Sequence, residues 1–399
     1  MPPLPDLWFN LQTMQGRDPQ SLAPAPLARL DAIAKARQVL LRDDAPGSVG
    51  LIEPWIERSW RRCLALGHQA QQMVAFDALS EAAMRRTGDA NRALTHAARP
   101  TLQQLGRALA NTRYFAILTN AHGVVVDVNG PIDRRDRRAD LITRIGVDLS
   151  ERSVGTTAIG AALAELQPVW LHRGEHFFDD TSSYSCAGAP LFGPSGLCVG
   201  MLDVTGVDAP ERPELKHLVT QSARSIENSL ALHQPHTLLL RLNWPGHRFG
   251  DDADGLIGLD HDGYVTTSNS AARQMVPQLA GIVAAASTRS HCSELFALPY
   301  EMLFDAARGS REVLEIPLWS GLRLQLLAYA VAPPDGSGTT AGPLAHAAPA
   351  AQDHRRLRDI ETALIRKAVD DSRGNVAKAA LRLGVSRATV YRKLGIKRP

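Results

Sequence analysis

Cysteine is scarce in this 399-residue chain, and its four cysteines stand far apart, without CxxC spacing or Cys/His ligand spacing. That excludes a disulfide framework and a zinc site of the usual spacing, so reduced thiols, no metal and no cofactor are the expectation. Long apolar runs are missing as well: none approaches the roughly 18 residues that a membrane span needs. The opening residues, MPPLPDLWFN, have no basic stretch leading into an apolar one, so a cytoplasmic location without membrane contact is expected. The dipeptide Gly-Lys occurs nowhere, which removes the phosphate-binding loop G-x-x-x-x-G-K-[ST] and ATP-driven work based on it.

What is present is an ordinary globular composition, with 44% hydrophobic and 21% charged residues, in a chain long enough for two or three cored domains. The net charge is only +3, but it is unevenly placed. Residues 353–399 hold 13 Lys/Arg against 5 Asp/Glu, a net of +8, which leaves −5 for residues 1–352. An acidic body is repelled by a polyanion, so contact with nucleic acid falls to the basic tail, through phosphate neutralisation and counterion release.

The pattern along the chain predicts an α+β multidomain protein. Residues 1–112 read as a helical lead-in, including a helical stretch at 89–111 that Pro100 should kink or divide. Residues 113–233 read as an antiparallel sheet sandwiched by helices. Strands are predicted at 114–119 and 124–128 around Asn-Ala-His-Gly, and at 186–192 and 197–204 around Gly-Pro-Ser-Gly. A helix between these hairpins places Ile159, Ala162, Leu163 and Leu166 on one face. A closing helix at 210–232 turns Leu215, Leu218, Val219, Ala223, Ile226 and Leu230 inward. A second α+β unit at 250–331 has strands predicted at 256–259, 264–267, 312–319 and 322–331. Residues 332–352, rich in Pro, Gly and Ala, read as a flexible linker.

In residues 353–399, an amphipathic helix at 357–371 carries Leu357, Ile360, Leu364 and Ala368 on one face. Asn375 can cap a second helix lined by Val376, Ala379, Ala380 and Leu383, and Gly384 supplies a turn. Ser386 can cap a third helix, whose Val390 and Leu394 point inward while Arg387, Ala388, Tyr391 and Arg392 face out. Arg387 and Arg392 offer planar forks for guanine edges or phosphates, and Asn375, Thr389 and Lys393 can hold phosphate oxygens. The run RGNVAKAALRLGVSRATVYRKL resembles the Fis-type helix-turn-helix, and the resemblance implies binding to double-stranded DNA and dimerisation through the preceding helix.

The segments VGTTAIGAAL, PVWLHRGEHF and SCAGAPLFGPSGLCVGMLDVTG, with IERSWRRCLALG before and QSARSIENSL after, resemble the GAF-type sensor of the acetoin-catabolism class of regulators. This resemblance, over about residues 51–232, implies a small-molecule effector held between sheet and helices. A floor of small residues (Gly155, Ala158, Gly160, Ala187, Gly188) makes such a pocket physically plausible. Candidate ligand contacts are Thr156, Thr157, His172, His176 and Cys186. The two threonines read equally as helix caps, His172 as a core histidine and Cys186 as a buried structural cysteine. The run GLIGLDHDGYVTTSNSAARQMV resembles the start of a PAS domain, with Asn269 opening a helix, and reads as a packing or dimer module.

Most members of that class carry a large ATPase between sensor and helix-turn-helix, and the linker here takes its place. The sequence therefore reads as a homodimeric, ligand-responsive DNA-binding regulator that occupies DNA and either recruits RNA polymerase or blocks it. Two alternatives are a low-specificity, nucleoid-type architectural DNA binder and a GAF-type thiol reductase. The reductase needs clustered cysteines, and only Cys186 and Cys198 could share one sheet.

Overall fold

A computed structural model describes residues 26–42, 50–77, 79–279, 290–308 and 312–331, together with Val376 and Ala380. The chain divides into two compact units, Met1–Pro334 and Asp335–Pro399. In the second unit, Val376 and Ala380 are both helical and Ala380 is buried, four residues apart as one face of a helix requires. The remaining residues expected in the linker and the helix-turn-helix lie outside the described residues.

The first unit is α+β and contains two five-stranded antiparallel sheets. In the first sheet the order is β2-β1-β5-β4-β3, built from β1 (Tyr114–Asn120), β2 (Val125–Asn129), β3 (Val169–His172), β4 (Tyr184–Phe192) and β5 (Cys198–Val207). Both faces are covered, and the two-residue period of a strand decides which side chain goes where. Phe115, Ile117, Tyr184, Cys186 and Met201 face one core cluster, while Tyr114, Ala116, Leu118, Ala187, Ala189, Leu202 and Val204 face another.

The second of these clusters is closed by α4 (Arg92–Ala108) and α8 (Leu215–Leu232). Leu215, Val219, Ala223, Ile226 and Leu230 of α8 are buried there, as the apolar stripe predicted. Helix α4 contributes Leu94, Ala97, Ala98, Leu102 and Leu105 to the same core. The expected boundary at 112 therefore cuts through one sandwich, because a sheet with two apolar faces must be covered on both. Pro100 sits inside α4 without dividing it. The break falls instead between α3 (Glu81–Ala90) and α4, at Asn91.

The opposite face carries α2 (Pro54–Ala65), α5 (Arg137–Ile142), α6 (Glu151–Val154) and α7 (Ala158–Glu165). Helix α1 (Pro26–Arg37), followed by a π-helical turn at Gln38–Arg42, packs beside the loop after β3. Leu166, expected on the buried stripe of α7, is its left-handed C-cap and is 51% exposed. A residue in that conformation ends the helix and turns its side chain away from the stripe.

The second sheet is ordered β8-β7-β6-β10-β9, from β6 (Leu238–Asn243), β7 (Gly255–Leu259), β8 (Val265–Ser268), β9 (Leu314–Pro317) and β10 (Arg323–Ala330). Helices α9 (Ser270–Met275), α10 (Cys292–Leu295) and α11 (Glu301–Arg308) accompany it. Its central strand β6 precedes the expected start at 250. Leu238, Leu240 and Leu242 enter the core while Leu239 is buried on the other face, so the segment shows no alternation. Asn269 caps α9 as expected, accepting from Ala272 N. No helix of the described residues is long and apolar enough to cross a membrane.

Candidate functional site

Where α7 meets the first sheet there is a cavity of about 30 Å³. Ile117 lines it from β1, Tyr184 and Cys186 from β4, and Asp203 and Thr205 from β5; Thr157, Ala158 and Ile159 close it from the start of α7. Phe76, Ile142 and Leu149 complete an otherwise apolar wall, with His176 and Thr181 from the loop after β3. That volume holds about one or two water-sized groups, far below the 300–1,000 Å³ or so of a pocket for a drug-sized ligand.

Local chemistry explains how α7 is held over the sheet. Thr157 caps it by accepting from Gly160 N at 3.1 Å. A Cβ on Gly160 would lie 2.7 Å from Glu151 N, so glycine there lets α6 and α7 touch. Gly155, at φ +65°, makes the turn between them, and its missing Cβ leaves room for the Phe178 ring.

The segment IERSWRRC of α2 clamps both helices from outside. Arg62 donates to Glu151 at 2.7 and 3.0 Å and to Glu165 at 2.9 Å, and Arg58 also bonds Glu165. Ser59 bonds Glu151, and its hydroxyl lies 2.7 Å from that of Thr156. Trp60 Nε1 donates to Glu175 O at 2.9 Å, and Arg37 of α1 donates to Gly174 O and His176 O at 2.9 and 2.6 Å.

Inside the cavity a polar chain runs across the sheet. His176 Nδ1 is 2.8 Å from Arg173 O. A carbonyl only accepts, so the ring proton is on Nδ1, and Nε2 turns its lone pair to Cys186 Sγ at 3.4 Å. Burial pushes the imidazole down to about 4, so it is neutral near pH 7. Cys186 Sγ accepts from Thr205 Oγ1 at 3.1 Å, and Thr205 Oγ1 also bonds Asp203 Oδ2. Asp203 is fully buried, and its Oδ1 has no hydrogen-bond partner. Burial pushes its carboxyl up to about 7, against a smaller lowering by Thr205, with no cationic side chain of the described residues countering it.

Of the five ligand-contact candidates, the structure brings Thr157, His176 and Cys186 to the cavity. Thr156 points outward to Ser59 and Cys63. His172 bonds Ser185 Oγ through Nδ1 at 2.8 Å and stacks on Trp170, away from the cavity wall. Ala187, expected in the pocket floor, faces α4 and α8, because its neighbour Cys186 takes the cavity side. Asp203 and Thr205 were not among the candidates. Their signal was the parity of Met201, Asp203, Thr205 and Val207 in β5, which puts a carboxylate on an inward face. The DNA-contact candidates Asn375, Ser386, Arg387, Thr389, Tyr391, Arg392 and Lys393 lie outside the described residues.

The cysteines are not arranged for exchange chemistry. Burial pushes the Cys186 thiol well above its ordinary value. Cys186 pairs with Thr205 while Cys198 is itself in β5, which separates the two by roughly 23 Å along the strand at about 3.3 Å per residue.

The first unit thus holds a small buried cavity against a five-stranded antiparallel sheet, and residues 353–399 carry a net charge of +8. Residues 51–228 match the family described as MimR, N-terminal domain, and residues 356–395 match that described as bacterial regulatory protein, Fis family. The chain is 30% identical over 260 residues to the acetoin catabolism regulatory protein of Cupriavidus necator, covering 63% of this chain and 37% of that protein. It is 29% identical over 147 residues to the propane 2-monooxygenase operon transcriptional activator MimR of Mycolicibacterium goodii, covering 36% and 25%. It is also 27% identical over 177 residues to the acetoin dehydrogenase operon transcriptional activator AcoR of Bacillus subtilis, covering 44% and 29%. The chain thus spans between a quarter and two-fifths of the length of these relatives. A solved chain from the E. coli DhaR(N)–DhaL complex aligns at TM-score 0.43 and 16% identity, covering 70% of this chain and all of that one.

Proposed function

We propose that this chain is a cytoplasmic, ligand-responsive transcription regulator that holds a small molecule in the first-sheet domain and binds operator DNA as a homodimer through residues 356–395. The observation that carries this reading is the Fis-family match in the same chain as a MimR-type N-terminal domain. The net charge of +8 on residues 353–399 supplies the attraction to phosphate. We assign DNA contact to Asn375, Ser386, Arg387, Thr389, Tyr391, Arg392 and Lys393, whose side chains are of the types that bind phosphates and base edges. With no Gly-Lys dipeptide in the sequence, and so no phosphate-binding loop of that type, the protein works by occupying DNA and recruiting or blocking RNA polymerase rather than by hydrolysing ATP at such a loop.

Genomic footprinting by immunoprecipitation and sequencing tests this, with a chain lacking residues 353–399 as control. Discrete peaks that share an inverted repeat, with half-sites about one helical turn apart, and that vanish on truncation are expected. Diffuse signal would instead make the protein an architectural DNA binder, and absence of signal would sink the DNA-binding reading.

A further inference from the structure

The cavity under α7 has room for one or two water-sized groups, but a larger one lies at the β2 edge of the first sheet. Between α3, α4 and β2 the chain leaves a space of about 280 Å³, close to the lower end of the roughly 300–1,000 Å³ of small-molecule sites. Its wall carries two opposite charges that do not meet. Arg99 of α4 is exposed, and its guanidinium has no hydrogen-bond partner among the described residues. Asp127 of β2 is half-buried, with Oδ1 accepting from Val128 N at 2.8 Å. Burial pushes the Asp127 carboxyl up, and Arg99 pulls it back down from a distance, with no ion pair joining the two. A break in strand pairing aims the carboxylate there. Leu118 of β1 pairs with Asp127 and Thr119 with Val125, so Val126 is an extra residue. Val126 and Asp127 both line the space, where regular alternation would send them to opposite faces. Met84 and Ile145 add apolar wall and Thr87 a hydroxyl. Gly88 keeps its side of the wall open, since a Cβ there would meet nothing within 4 Å. Helix α3 has no buried residue, so it can shift to admit a ligand.

We propose that this space binds a small zwitterion of the α-amino-acid class, its carboxylate on Arg99, its ammonium on Asp127 and an aliphatic side chain against Met84, Val126 and Ile145. The assignment rests on reading the first-sheet domain as a sensor, and gives that domain a ligand site separate from the cavity under α7. Arg99 offers the planar fork that suits a carboxylate. A bound ammonium relieves the cost of burying the Asp127 carboxylate. A zwitterion satisfies both charges at once, whereas a plain carboxylate would leave Asp127 without a counter-charge and a plain amine would leave Arg99 without one.

Saturation-transfer NMR on the full chain, without DNA, tests the assignment with three probes that share one carbon skeleton: L-leucine, 4-methylpentanoate, which lacks its ammonium, and 3-methylbutylammonium, which lacks its carboxylate. Saturable binding of L-leucine is expected, about tenfold or more tighter than that of either single-charge probe, and weakened about tenfold or more in Arg99→Gln and in Asp127→Asn. Gly88→Leu fills the open space and should abolish binding while leaving Tm unchanged or raised, because leucine is the better helix former. No saturable L-leucine binding in the native chain, equal binding of a single-charge probe, or L-leucine binding unchanged in any of the three variants would each overturn the proposal. Footprinting reports separately on DNA: L-leucine binding with no footprint leaves the ligand class standing and removes the regulatory reading, whereas a footprint without L-leucine binding removes the ligand class alone.

Discussion

Replacing Asp203 by asparagine should stabilise the protein in a pH-dependent way. Asparagine has the shape of the neutral acid, donates from Nδ2 to Thr205 Oγ1 and keeps an acceptor where Oδ1 stands, but it cannot ionise. In the native chain burial raises the carboxyl from 3.8 to about 7. A carboxyl raised on folding contributes stability that is fully present below its unfolded value and is lost as pH rises through its folded value. Across that window the loss is about 4 kcal/mol, from about 1.4 kcal/mol per tenfold change in proton affinity.

His172 and His176 act with the opposite sign. Burial lowers both to about 4, so their contribution is present above about 6.5 and is lost on acidification. Both residues are common to native protein and variant, so they cancel when the two are compared at one pH. Urea unfolding at pH 5 and pH 8 reads the difference, and between these values Asp203→Asn should gain about 2–3 kcal/mol on the native chain. A stability difference that is the same at both pH values would mean that the carboxyl ionises as it does in water, and the argument for a neutral Asp203 would fail.

Gly160→Ala should lower Tm although alanine is the better helix former: its Cβ would sit 2.7 Å from Glu151 N, and the backbone shift costs about 1–3 kcal/mol against a gain of about 1. Thermal unfolding checks this, and a raised Tm would show that α6 and α7 separate freely. Arg62→Ala should cost about 1–2 kcal/mol, because its half-open fork bridges Glu151 and Glu165. Arg62→Lys should recover less than half of that in chemical denaturation, since a point charge cannot replace the fork. On an operator fragment, Arg387→Ala or Arg392→Ala should weaken binding by about 1–3 kcal/mol, and unchanged affinity for both in a gel-shift titration would refute the placement of the recognition face.

Much of the first sheet was legible in the sequence because its hairpins carry their own punctuation. Asn120 to Gly123 and Gly193 to Gly196 mark turns between β-rich runs, and the stripe of α8 repeats at helical spacing over 18 residues. Strands β3 and β6 escaped for opposite reasons. β3 has only four residues, too few to show a period, while β6 is LLLRLN, apolar on both faces, so alternation was never available as a signal. The site divided in the same way. Thr157 and His176 stood in motifs, whereas Asp203 was hidden by the apolar residues around it in MLDVTGV, and its inward direction follows only once the strand's register is known.

That register also ties the cavity to the rest of the first unit. Strand β5 turns Asp203 and Thr205 to the cavity and, one residue out of phase, Leu202 and Val204 to the core closed by α8. On α8, Asn228 Oδ1 accepts from Asn269 at 2.7 Å, and Ser225 and Asn228 bond Asp252. Asn269 in turn caps α9 and accepts from Leu256 N in β7. One strand and one helix thus separate Asp203 from the backbone of the second sheet. Asn228 and Asn269 are buried there, so leaving either amide unpaired would cost about 1–3 kcal/mol. A displacement of β5 that moves α8 must therefore carry α9 and β7 with it or break those bonds, so the hydrogen bonds of Asn228 and Asn269 tie the second sheet to the first.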